Sequence, residues 1–281
     1  MPMRLGGPIF LKSDDPAELA KEHRRLGYRA AYCPPDSMLK TQADIARVRE
    51  AYAAEDVCIA EVGAWVNPLD ADPQKAKDNR QYIAQRLSLA DELDARCCVD
   101  IVGSLRPDKW DGTHISGYSD EFFDAVVEAF REILDMAKPT RTAMTFETMP
   151  YYFLDNPEDY LRLLAAIDRP GVAVHIDMCN CFSNPRDFYN NAAVTQRTFK
   201  HLRNLIRSCH LKDLRLDDAG GTVKFYETVL GTGSLDIASY LKCVDALPDC
   251  PIMLEHLPDE ATYDTARKYA LSVMQQCGIK G

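Results

Sequence analysis

Four short apolar runs each end in a residue of a type that binds metal ions: Thr145-Phe146-Glu147, His175-Ile176-Asp177, Ser208-Cys209-His210 and Met253-Leu254-Glu255. The terminal residues stand at 147, 177, 210 and 255, intervals of 30, 33 and 45 residues. Each interval is long enough for one helix and one strand, so a repeated βα unit would carry all four to the same end of a parallel barrel. Singly, each could be a structural hydrogen-bonder or a core histidine. Together they would crowd four ionisable groups into one buried place, an arrangement that is strongly unfavourable unless a cation neutralises it. The sequence therefore predicts one divalent metal ion held by Glu147, Asp177, His210 and Glu255. Three carboxylates and one imidazole make a hard, oxygen-rich donor set, which suits Mn²⁺ first, with Mg²⁺ or Co²⁺ as alternatives.

The elements that must position these residues alternate along the chain. Candidate strands run from Arg4 to Leu11, Tyr28 to Cys33, Val57 to Val66, Cys97 to Gly103, Thr142 to Met149, Val172 to Asp177, Ile206 to Leu211 and Ile252 to Leu257. Candidate helices run from Pro16 to Leu26, Gln42 to Ala54, Gln74 to Leu93, Asp120 to Ala137, Pro157 to Ile167, Ala192 to Leu205, Ile237 to Ala246 and Asp259 to Gln276. Asp15-Pro16, Ser119-Asp120-Glu121 and Asn156-Pro157-Glu158 combine a capping side chain with proline or acids in the first turn. From Asp120 to Ala137, Phe122, Phe123, Val126, Val127, Phe130, Ile133 and Leu134 recur at three- and four-residue spacing, which predicts a helix with one face on a sheet. Eight strand-then-helix units predict a single-domain (β/α)₈ barrel over residues 1–281, with an open doubly wound sheet as the weaker alternative. Three long segments follow the strands on the expected active-site end: Ser104 to Ser119 with Trp110 and His114, Met178 to Asn190, and Lys212 to Ser234.

Composition narrows the function. The formal charge is −10, which repels phosphate backbones and leaves no basic stripe for nucleic acid. The ten cysteines are scattered through apolar runs rather than set in a paired framework. They predict buried free thiols in a reducing compartment, with Cys179 and Cys181 as candidates for the pocket wall. Met1-Pro2-Met3-Arg4 is followed by no apolar leader and no 18-residue apolar run is present, so a cytoplasmic protein without membrane contact is expected.

The residues also resemble the xylose-isomerase-like barrels, which include ketose 3-epimerases, hydroxypyruvate isomerase, inosose dehydratase and endonuclease IV. The resemblance is carried by Phe146-Glu147, His175-Ile176-Asp177, His210-Leu211-Lys212-Asp213, the Gly231-Thr232-Gly233 turn and Leu254-Glu255-His256. It implies a metal-dependent enzyme acting on a small carbohydrate or glycoside. Glu147 and Glu255 would be both ligands and the acid-base pair, and Asp177 and His210 ligands only. The reaction would begin by removing a proton next to a carbonyl, a step that needs stabilisation of the resulting negative charge.

Return of the proton gives isomerisation or epimerisation. Ketose 3-epimerases place a histidine three residues after the strand-6 aspartate, where this chain has Asn180, and the surrounding segment is more similar to the catalytic subunits of C-glycoside deglycosidases. That branch implies elimination from 3-oxo-glycosides and an oligomer that could include a small β-rich second subunit. Phosphodiester cleavage of the endonuclease IV type would call for more metal ligands and a basic groove.

Further candidates for substrate contact are His114, His175, Asn180, Lys212, Trp65 and Arg215. Lys212 shares the strand face of His210, His175 the face of Asp177, and Trp65 offers a flat apolar platform beside Glu61 at the end of strand 3. His256 is expected to point away from Glu255 on a regular strand.

Overall fold

The computed structural model describes residues 2–280. Eight parallel strands close into one barrel: β1 (Arg4–Gly6), β2 (Ala30–Tyr32), β3 (Cys58–Gly63), β4 (Cys97–Asp100), β5 (Met144–Glu147), β6 (Val172–Asp177), β7 (Ile206–Leu211) and, last in the chain, β10 (Pro251–Leu254). The ring order is β1-β10-β7-β6-β5-β4-β3-β2, which excludes the doubly wound alternative. A separate antiparallel hairpin, β8 (Asp213–Asp217) and β9 (Lys224–Thr228), rises from the end of β7.

The helices are α1 (Pro16–Arg25), α2 (Gln42–Ala54), α3 (Pro73–Glu92), α4 (Asp120–Ala137), α5 (Pro157–Ile167), the short α6 (Pro185–Tyr189), α7 (Asn191–Leu202), α8 (Ile237–Asp245) and α9 (Glu260–Gln276). Their starts follow the local chemistry. Asp15, Ser119 and Asn156 each accept from a backbone N–H of the first turn, which relieves donors that a helix leaves unpaired. All seven periodic apolar residues of α4 are buried, and Phe130 meets Phe146 of β5 edge-on at 4.5 Å between ring centres. Burying side chains of this size contributes about 1.5–3 kcal/mol each, so α4 is fixed by its inner face.

Most strands are shorter than the apolar runs that announce them. The run from Thr142 to Met149 pairs only from Met144 to Glu147, and Arg4 to Leu11 only as far as Gly6. Apolar character alone does not set the strand end: past the ladder Met149 stays half-buried against the core, whereas Phe10 and Leu11 are exposed. The segment from Lys212 to Ser234, expected as a loop, is folded as the hairpin, and the loop from Met178 to Asn190 contains α6. All ten cysteines are unpaired. No described helix is long and apolar enough to cross a membrane.

Candidate metal centre

Parallel register brings the four predicted ligands together. Asp177 lies beside His210 across β6 and β7, His210 beside Met253 of β10, and Glu147 ends β5. Each strand that carries a candidate ligand accepts a hydrogen bond from a tyrosine, two of them buried on outer helices and the third half-buried on β2. Tyr160 of α5 donates to the carbonyls of Phe146 (2.8 Å) and His175 (3.2 Å), Tyr240 of α8 to that of His210 (2.8 Å), and Tyr32 of β2 to that of Leu254 (3.0 Å). Thr148 exchanges hydrogen bonds with the backbone of Asp177. These bonds hold the backbone that presents the candidate ligands.

Glu147, Asp177, His210 and Glu255 each offer one ligand atom, and these atoms lie within 4.8 Å of one another. The focus is His210 Nδ1, which sits 3.1 Å from Glu147, 3.2 Å from Glu255 and 3.9 Å from Asp177. One ring nitrogen carries at most one hydrogen and cannot satisfy three carboxylates. Glu255 Oε2 is shared between His210 Nδ1 at 3.2 Å and the Lys212 ammonium at 2.9 Å, which also serves Asp177. The donor set and its convergence fit a single divalent ion, with Nδ1 as the nitrogen facing it.

The electrostatics follow from that crowding. Burial pushes Glu147 up to about 7, with the charges of Asp177 and Glu255 adding and His210 opposing. Burial alone would lower His210, but Glu255, Glu61 and Glu147 outweigh it and hold the ring well above its usual range. Lys212 is likewise raised against its burial by Asp177 and Glu255. Its ammonium lies 2.7 Å from Asp177, 2.9 Å from Glu255 and 3.1 Å from Glu227 of β9.

Residues 20–273 match the family described as xylose isomerase-like TIM barrel. The chain belongs to this family. No curated protein matches it in sequence. Among solved structures, a 3-keto-D-glucoside 4-epimerase from E. coli aligns with a TM-score of 0.70 at 14% identity, covering 98% of this chain and 100% of that one. D-psicose 3-epimerase from Clostridium cellulolyticum, solved with D-tagatose, gives 0.69 at 14%, covering 98% and 99%. Endonuclease IV from Thermus thermophilus gives 0.69 at 18%, covering 97% and 99%. Likeness at this identity is likeness of fold.

Within this family barrel, the other sequence candidates fall into two groups. Lys212, Asn180 and His175 join the cluster: the Asn180 amide donates to Asp177 at 3.2 Å, and the fully buried His175 ring stands edge-on to His210 at 4.1 Å. His114, Trp65 and Arg215 lie on the rim with partners of their own. His114 caps a short 3₁₀ turn and meets Ser116 at 2.5 Å, the Trp65 indole folds back over Gly63, and Arg215 reaches toward Tyr226 across the hairpin.

His256 does not point away from Glu255 as expected. β10 ends at Leu254, and a positive φ of 57° at His256 turns its ring back to Glu227 (2.9 Å) and Lys212 (3.0 Å). Glu227 itself lies in the segment read as loop. The alternation from Leu214 to Leu216 and from Lys224 to Thr228 around Asp218-Ala219-Gly220-Gly221 is the signal that would have revealed the hairpin.

Asp213 explains how that hairpin is anchored. Its buried carboxylate accepts from the N–H groups of Leu214, Gly231, Gly233 and Leu235 at 2.8–3.2 Å. A side chain at Gly233 would place its Cβ 2.2 Å from Asp213 Oδ1, and one at Gly231 would strike Tyr269 at 2.6 Å. Glycine is required at both positions for the turn to close on the acid.

Proposed function

We propose that this chain is a divalent-metal-dependent carbohydrate enzyme of the isomerase or epimerase type, which removes a proton next to a carbonyl of a sugar or keto-sugar. The observation that carries the reading is the convergence of Glu147, Asp177 and Glu255 on His210 Nδ1 at the C-terminal mouth of the barrel, the end where such folds place their chemistry. The structural neighbours that act on keto-glucosides and on psicose support the same substrate class. Mn²⁺ is the expected ion; when bound, it supplies the positive charge that stabilises the substrate after proton loss.

The protein groups have separable tasks. Glu147 and Glu255 come from β5 and from just beyond β10, strands separated in the ring by β6 and β7, so the two carboxylates approach the centre from different sides. One takes the proton and the other returns it, and a new configuration results when the return is to the opposite face. Lys212 is a permanent cation beside Asp177 and Glu255, placed to hold a substrate oxygen, and Asn180 can offer its amide to a hydroxyl. The partner expected is a small carbohydrate; the acidic chain and its four-residue ligand set give no support to phosphodiester cleavage.

The test is exchange of substrate C–H protons into deuterated water, followed by NMR, with Mn²⁺-loaded protein and a panel of ketoses and 3-oxo-glycosides. Exchange with an intact carbon skeleton is expected, reduced about 10²–10⁴-fold in Glu147→Gln and Glu255→Gln. Release of an aglycone would replace epimerisation by elimination. Metal bound without exchange on any member would overturn the substrate class.

A further inference from the structure

Strand β3 contains one charged residue, Glu61, and it is 3% exposed inside the barrel. In the ring of eight, β3 and β7 stand four places apart and face each other across the lumen. Glu61 spans that gap to two residues of β7 that share its inward face. Ser208 Oγ donates to Oε2 at 3.2 Å, and His210 Nε2 lies 3.2 Å from Oε1. The imidazole is thus held at both ends, Nδ1 toward the carboxylate quartet and Nε2 toward Glu61.

We propose that Glu61 is a positioning residue for the metal centre, acting through His210: it accepts the hydrogen on Nε2 and so leaves the Nδ1 lone pair aimed at the ion. The inference rests on the metal reading above. A neutral imidazole carries its hydrogen on one nitrogen only, and the partner of that nitrogen decides which one is left free to ligate. At a fully buried ring, loss of the acceptor would strand an N–H and remove the restraint on the ring plane. His175 is the other imidazole near Glu61: its Nδ1 stands 3.7 Å from Oε2, beyond hydrogen-bond reach, and its ring meets His210 edge-on, so the closer Nε2 of His210 at 3.2 Å takes the carboxylate. Ser208 completes the chain by fixing the second oxygen of Glu61, so the carboxylate cannot rotate away.

One other arrangement fits the same atoms. Glu61, His175 and His210 also bring their ligand atoms within 4.8 Å of one another, and a second ion there would make Glu61 a ligand. Stoichiometry separates the two.

The experiment is Mn²⁺ titration, read as ions per chain and as affinity, of the wild type, Glu61→Leu, Glu61→Gln and Ser208→Ala, with ¹⁵N-histidine NMR of the same proteins loaded with diamagnetic Mg²⁺, where a ring that ligates through Nδ1 carries its one hydrogen on Nε2. The wild type is expected to bind one ion. Glu61→Leu should bind one ion about 10–100-fold more weakly, the range for loss of a group that orients a ligand. Glu61→Gln, whose amide oxygen still accepts, and Ser208→Ala should lose less; these isosteric or smaller changes carry the test if the leucine variant does not fold. The Nε2–H of His210 should show a hydrogen-bonded shift and slow exchange in the wild type and lose both in Glu61→Leu.

Unchanged affinity across the variants would overturn the positioning role. Two ions in the wild type and one in the variants would make Glu61 a ligand instead. A wild type that binds no ion would remove the metal reading itself, a result visible before any variant is compared.

Discussion

The two ends of the barrel both gather buried or half-buried charge, and they balance it differently. At the N-terminal end, Arg4 meets Asp249 at 2.5 Å and Asp56 at 2.9 Å, Arg29 joins Asp56, and Arg96 joins Asp249. Arg4 also donates to the carbonyl of Asp56 at 3.0 Å. At the C-terminal end, Glu61, Glu147, Asp177, Glu227 and Glu255 face Lys212, His210 and His256. One end pairs cation with anion and adds backbone acceptors, and it needs nothing from outside. The other has more carboxylate than its own cations can serve. A charge cluster that satisfies itself is part of the fold, whereas one left with excess anion is a place for an ion.

The self-balanced end depends most on Asp249, which serves two arginines. Replacing it by alanine removes a carboxylate from both Arg4 and Arg96, and Arg4 is 6% exposed at its side chain. A buried charge left without a partner costs about 3–5 kcal/mol, and because Arg4 retains Asp56 the expected loss is near the lower bound, about 3 kcal/mol. Denaturant unfolding of the metal-stripped protein should record that loss while Mn²⁺ affinity of the folded variant stays unchanged. A parallel fall in affinity would mean that the two ends are coupled through the strands.

Asp213 sharpens the contrast because it is an acid at the C-terminal end that behaves like those at the other. Four backbone N–H groups satisfy it, and it sits one residue past Lys212 without joining the quartet. In Asp213→Asn one oxygen becomes an NH₂ facing N–H donors, so about 1–3 kcal/mol of stability should be lost. The hairpin that carries Glu227 should loosen with it. Hydrogen exchange at the amides of Gly231 and Gly233 should accelerate, with Mn²⁺ stoichiometry unchanged; protection equal to wild type would show that the turn holds without the acid.

The same contrast explains what could be read from the sequence. The barrel was legible because helix faces and caps are local: the α4 stripe, Asp15, Ser119 and Asn156 need only their neighbours to declare themselves. Glu147, Asp177, His210 and Glu255 were legible as a set because each ends an apolar run at a repeat interval. Strand ends were not, since apolar side chains at positions such as Ala143 and Met149 continue beyond the hydrogen-bonded ladder, and pairing depends on a neighbour far away in sequence. Glu61 was visible as an acid near the end of strand 3, but its reach across the lumen to a residue 149 positions later was not. His256 was misplaced because strand alternation stops at Leu254 and a positive φ decides the direction of the ring.

Protons act in both directions at the C-terminal end: against their burial, Glu227 is lowered to about 2 by His256 and Lys212 and Glu255 is lowered by His210 and Lys212, whereas Glu147 and His210 are raised. Glu147 is raised from 4.5 to about 7, chiefly by burial. A carboxyl raised in the fold contributes stability that is fully present below its unfolded value and is lost as pH rises through its folded value. His210, raised against its burial by Glu255, Glu61 and Glu147, contributes below 6.5 and also loses its contribution as pH rises. Asp56 runs the other way. Burial would raise it, but Arg4 and Arg29 prevail and hold it below 3.8, so its contribution is present above that value and is lost as pH falls further.

The unfolding free energy of the metal-stripped protein should therefore fall on the acid side below 3.8 and fall again from 4.5 through neutrality, with a slope of at most about 1.4 kcal/mol per pH unit for each proton. Glu147→Gln should flatten the second limb between 4.5 and about 7 and leave the first untouched. Saturating Mn²⁺ should flatten it as well, because an ion then does for the ionised carboxylates what protons did. If the wild type and Glu147→Gln trace the same curve through neutrality, the excess anion of the C-terminal end is relieved by something other than the quartet, and the distinction between the two ends fails at its centre.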